Sequence, residues 1–142
     1  MKKFFSLFIG FLFFGIATFL IVAPAIVDDG ANVVVAHQPY EISERAAALH
    51  SSLLVGDWHA DSLLWMRDLT EQYDYGHLDF PRMQQGNMAL QMFTTVTKSP
   101  SGQNYKRNSS DASDNITLLA MTQRWPVATW TSLAERALFQ AD

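Results

Sequence analysis

Leu53-Leu54-Val55-Gly56-Asp57-Trp58-His59-Ala60-Asp61-Ser62-Leu63-Leu64-Trp65 is the stretch on which the reading of the fold depends. An apolar run leads into a histidine and a carboxylate two residues apart and then turns apolar again, which predicts a β-strand that ends in polar side chains. Successive side chains of a strand point to opposite faces, so His59 and Asp61 are expected on one face, about 6–7 Å apart along the chain. Imidazole nitrogen and carboxylate oxygen together suit zinc and similar divalent ions, and one ion could sit between them. A histidine that simply hydrogen-bonds a nearby carboxylate produces the same pattern, so the pair alone leaves both readings open.

Outward from this strand the chain continues as α/β sequence. Ser43 to Ser52 is alanine-rich with Ser43 as an N-cap, which predicts a helix leading into the strand. Gly86 to Val96 predicts a second strand, with Met88, Leu90, Met92 and Thr94 on one face and Ala89, Gln91, Phe93 and Thr95 on the other. Apolar residues on both faces are what a strand covered on both sides in a parallel sheet requires. Lys98 to Asp114 has loop composition, and Ile116 to Gln140 reads as helix, capped by Asp114 and broken at Pro126. His77 and Asp79 form a second His-x-Asp pair, but Pro81 follows immediately and no apolar strand precedes it, so a structural role at a helix start is expected. His37 and His50 have no ligand partner at useful spacing. Asn108-Ser109-Ser110 and Asn115-Ile116-Thr117 are formal glycosylation sequons.

Several separated blocks carry a further signal. Asp57-Trp58-His59-Ala60-Asp61-Ser62-Leu63-Leu64-Trp65, Gly76-His77-Leu78-Asp79-Phe80-Pro81-Arg82, Gly86-Asn87-Met88-Ala89-Leu90-Gln91-Met92-Phe93 and Val96-Thr97-Lys98, in this order, resemble the membrane (renal-type) dipeptidase family. The resemblance runs from about Ile42 to the C-terminus. It implies the opening portion of an amidohydrolase-like (β/α)8 TIM barrel, a zinc metallopeptidase that hydrolyses dipeptides with a metal-activated water. In that family two zinc ions are bridged by a glutamate, one ion also taking the His-x-Asp pair and the other two later histidines. The resemblance therefore assigns His59 and Asp61 as metal ligands and leaves the bridging glutamate and later histidines unmatched, since neither Glu71 nor Glu135 fits the first role. No catalytic residue is assigned, at most a partial zinc site is expected, and the chain alone is expected to be inactive. The simplest expectation is a dipeptidase fragment from a truncated or split reading frame; the alternative is a non-catalytic, membrane-anchored binding or structural remnant.

Ahead of all this, Lys2-Lys3 precedes an apolar run from Phe4 to Val27, closed by Asp28-Asp29. At about 1.5 Å per residue the run is long enough to cross a hydrocarbon core about 30 Å thick, and the leading lysines predict a cytoplasmic N-terminus with the remainder outside. Ala23-Pro24-Ala25 offers the small residues of a signal-peptide cleavage site, but the run exceeds the usual h-region and favours an uncleaved anchor. Three segments follow: residues 1–29 as anchor or signal, 30–52 as linker and leading helix, and 53–142 as an incomplete barrel.

Composition narrows the rest. The 142 residues carry a net charge of −4, which provides no basic footprint for nucleic acid. A whole (β/α)8 barrel needs about 250 residues and at least about 200, so only part of one can be written here. With no cysteine, a metal in this chain must be held by His, Asp or Glu. The partners expected are the membrane, through residues 4–27, and a dipeptide substrate in the complete enzyme.

Overall fold

The computed structural model describes residues 2–142, so Met1 of the expected anchor segment lies outside the described residues. The architecture is mixed α/β behind a long N-terminal helix. Helix α1 (Lys2–Ala31) has mean apolarity on every face and leaves Phe4, Phe5, Phe8, Phe11, Phe13 and Phe14 exposed, which makes it long and apolar enough to cross a membrane. It continues past Asp28-Asp29 for two more residues, Gly30 and Ala31, into the segment that the sequence reads as linker. The reason lies in its last turns: Ala23, Pro24, Asp28 and Asn32 fall on one face and are buried against the rest of the chain.

Helix α2 (Glu44–Ser52) begins as expected at Ser43, whose hydroxyl accepts from the Ala46 N–H at 3.2 Å. It leads into strand β1 (Val55–Ala60), which pairs in parallel with β2 (Met88–Phe93). The crossover between them contains a short 3₁₀ turn at Ser62–Leu64 and helix α3 (Phe80–Gln85), so the two strands and their connection form a β-α-β unit. Asn87 sits at φ 54° just before β2, and its amide donates to the carbonyls of His50 (2.8 Å) and Leu53 (3.2 Å), pinning the start of β2 to the start of β1.

The remaining helices are α4 (Asn115–Thr122) and α5 (Leu133–Ala141), separated at Pro126 by a 3₁₀ turn over Val127–Trp130. Ile116, Ala120 and Trp125 form the apolar centre, with Leu64, Val96, Leu119 and Trp130 packed on it. Much of what is fully buried is polar: Arg136, Gln123, Thr129 and Asp79. Buried polar groups need partners, and Arg136 has them on every side. Its guanidinium donates to the Thr129, Thr97 and Trp130 carbonyls, to the Thr117 hydroxyl and to the Asp114 carboxylate.

A two-stranded sheet is what the described residues contain, and a closed (β/α)8 barrel is not shown. The strands are covered only in part: Leu90 and Met92 stay about half exposed and Trp58 on β1 is 72% exposed. Of the helices it is α3 that packs on a strand, against β2, which is too little for two faces and two edges.

Candidate metal centre

Both side chains singled out in the sequence lie at the carboxyl ends of the parallel strands, where open α/β sheets carry their sites. His59 is the penultimate residue of β1 and Asp61 the residue that caps the following 3₁₀ turn. Leaving the strand at Ala60 rotates Asp61 toward the imidazole, so that His59 Nε2 lies 3.2 Å from Asp61 Oδ1. Both remain open to solvent, with 71% and 41% of their side-chain surfaces exposed. They converge on one cavity of about 320 Å³, whose wall also includes Asp57, His77, Arg67 and Asn32.

Neighbouring strands hold the carboxylates in place. The Thr94 N–H and hydroxyl sit one residue beyond β2; the N–H donates to the Ala60 carbonyl at 2.9 Å, and the hydroxyl forms a short hydrogen bond to Asp61 Oδ1. One register step back, Gln91 Nε2 donates to Asp57 Oδ2 at 2.9 Å. That hydrogen bond holds the Asp57 carboxyl below its ordinary pKa. Thr94 was legible only as one position of the Met88-Leu90-Met92-Thr94 face; its role appears once parallel pairing brings the ends of β1 and β2 side by side.

The second His-x-Asp pair separates. His77 is exposed and lines the cavity, whereas Asp79 is fully buried away from it as the N-cap of α3. Asp79 accepts from the Arg82 N–H (2.8 Å), the Tyr73 N–H (3.2 Å) and Arg82 Nε (2.6 Å). Burial alone would raise its carboxyl pKa, but these donors bring it below the usual range. His37 turns to the Gln38 carbonyl and stacks near Tyr40, 4.4 Å between ring centres.

No family model, no curated protein and no solved structure matches the chain.

As a donor set, one imidazole and one carboxylate facing a common space fit two positions around a zinc ion. Catalytic zinc usually takes three protein ligands, and among the described residues no group of three or more His, Cys, Asp or Glu side chains is arranged to hold an ion. The arrangement can therefore offer two ligands and two further polar groups, Asp57 and His77, around an open position.

Two wall residues were not anticipated. Asn32 comes from the segment read as linker and Arg67 from the connection between β1 and α3, and they join the cavity because the end of α1 packs there. The guanidinium of Arg67 is buried beside the equally buried Asp28, with Nε 3.1 Å from Oδ2. Asn32 Nδ2 donates to Asp28 Oδ1 at 2.7 Å and completes the cluster.

Proposed function

We propose that this chain is the N-terminal, ligand-bearing part of a zinc-dependent membrane dipeptidase, with His59 and Asp61 as two of its metal ligands. The observation that carries the reading is the convergence of His59 Nε2 and Asp61 Oδ1 on one open cavity at the carboxyl end of a parallel β-α-β unit. The dipeptidase-like blocks around both strands add the reaction class. A zinc ion bound there would supply a water of lowered pKa for attack on a peptide carbonyl. The residues of this chain would hold and orient: His59 and Asp61 as ligands, Thr94 fixing the Asp61 rotamer, and Asp57 attracting cations to the mouth.

The exposed Leu90, Met92 and Trp58 fit an amidohydrolase-like (β/α)8 barrel in which further strands and helices would cover them. In the same reading α1 spans the membrane as an uncleaved anchor, with Asp28 onward outside the cytoplasm.

The test is dipeptide hydrolysis by the protein expressed in membranes from its whole coding sequence, compared with His59→Ala and Asp61→Ala. The reading expects both variants to lose activity while remaining folded by circular dichroism. Equal rates in all three proteins would refute it.

A second reading rests on a specific observation, the lack of a third converging ligand among the described residues. It makes the chain a membrane-anchored, non-catalytic remnant of a dipeptidase. Hydrolysis-free membranes that still contain intact protein would favour it.

A further inference from the structure

We propose that the last turns of α1 are a fixed wall of the cavity, locked to the domain so that the cavity stands at the membrane face. The proposal rests on α1 spanning the bilayer, and it is independent of whether the cavity holds a metal.

Up to Val22 the helix exposes its apolar side chains; from Ala23 one face is buried. Three connections hold that face. Gln123, itself buried, donates from Nε2 to the Pro24 carbonyl at 3.0 Å, while its Oε1 accepts from the Met66 N–H at 3.3 Å. Asp28 and Arg67 form a charge pair with 5% and 2% of their side chains exposed. The Gly76 N–H donates to the Asn32 carbonyl at 3.2 Å.

A buried charge without its partner is strongly unfavourable, and undocking α1 would take from the buried Arg67 the carboxylate that its Nε meets at 3.1 Å. Asn32 and Arg67 line the cavity together with His59 and Asp61. Asn32 follows Val22 by ten residues of nearly continuous helix, about 15 Å along its axis. The lock thus fixes the cavity within about that distance of the last fully lipid-facing turn.

The lack of native cysteines makes site-directed spin labelling direct. The full chain is reconstituted in phosphatidylcholine–phosphatidylglycerol vesicles with labels at Ile26→Cys and Leu138→Cys, both exposed positions. Docking predicts one narrow distance distribution, which should broaden several-fold in Asp28→Ala. Because that variant leaves Arg67 unpaired, Asp28→Ala with Arg67→Met is measured beside it, and a pair at Leu118→Cys and Leu138→Cys reports whether the domain stays folded. A single label at Ser62→Cys, on the cavity wall, should relax faster with nickel-chelating lipid headgroups in the intact chain than in the double variant. A broad Ile26–Leu138 distribution in the intact chain, or one unchanged when the lock is removed from a folded domain, would overturn the proposal. Failure of the protein to co-float with the vesicles would refute the spanning helix, and the same label pair in solution would still report the docking.

Discussion

A Cβ on Gly76 would lie 1.9 Å from Nη1 of Arg67, and Gly76 itself has φ +71°. Glycine is therefore required twice at this position, once for its left-handed backbone and once because the guanidinium occupies the space of a side chain. Arg67 has little freedom to withdraw, since it is buried against Asp28 and lies 5.7 Å from the Tyr75 ring centre. Gly76→Ala should lose about 1–2 kcal/mol from the backbone alone, and more from separating the charge pair. Urea denaturation checks this, and an unchanged midpoint would contradict it.

Arg136 should prove the least replaceable residue of the domain. Its five donors tie α4, α5, the Thr129–Trp130 turn and the segment after β2 into one unit. Arg136→Met leaves the Asp114 carboxylate and several carbonyls without their donor and should cost roughly 3–5 kcal/mol. Arg136→Lys should recover little, because an ammonium cannot reproduce the planar fork. Equilibrium unfolding of the two variants against the parent decides the point.

Stability should fall in acid through Asp114. Partial burial would raise its carboxyl pKa, but the Ser99 N–H, the Arg136 guanidinium and the Ile116 N–H hold it down at about 2. A folded pKa below the unfolded 3.8 means that the stabilisation is fully present above about pH 4 and is lost as pH falls toward 2. The amount is on the order of 2 kcal/mol. Thermal melts from pH 5 to pH 2 should show this slope in the parent and a flatter one in Asp114→Asn.

Thr94→Val keeps shape and removes the hydroxyl that meets Asp61 Oδ1. Outer-shell partners of metal ligands typically contribute 10–100-fold in affinity, so cation binding should weaken by about that factor. Thr94→Ser should retain it. Titration calorimetry with Zn²⁺ on the three proteins checks the ordering, and equal affinity for Val and Ser would contradict it.

The strands, the leading helix with its Ser43 cap, the Asp114 cap and the break at Pro126 were legible because each rests on a local rule of periodicity, capping or proline geometry. The proximity of His59 and Asp61 was legible only in part: the strand period expected both on one strand face, whereas Asp61 lies one residue past β1, where the chain has already left the strand. What was not legible depends on pairing between distant segments. Thr94 meets Asp61, Arg67 meets Asp28 and Arg136 meets Asp114 across tens of residues, and no local pattern marks an arginine as buried. How far Leu90 and Met92 are covered was not legible, because an apolar run states only that a strand suits burial. Whether other elements cover it is a property of the whole sheet.

Cobalt(II) titration of the purified full chain in detergent tests whether His59 and Asp61 are metal ligands. The visible absorption of a nitrogen- and oxygen-ligated ion is followed in parallel for His59→Ala and Asp61→Ala. Binding should be saturable in the parent and weakened at least about tenfold in either variant with the fold intact. Identical cobalt binding by the parent and both variants would contradict that assignment and leave the two residues as an ordinary hydrogen-bonded pair.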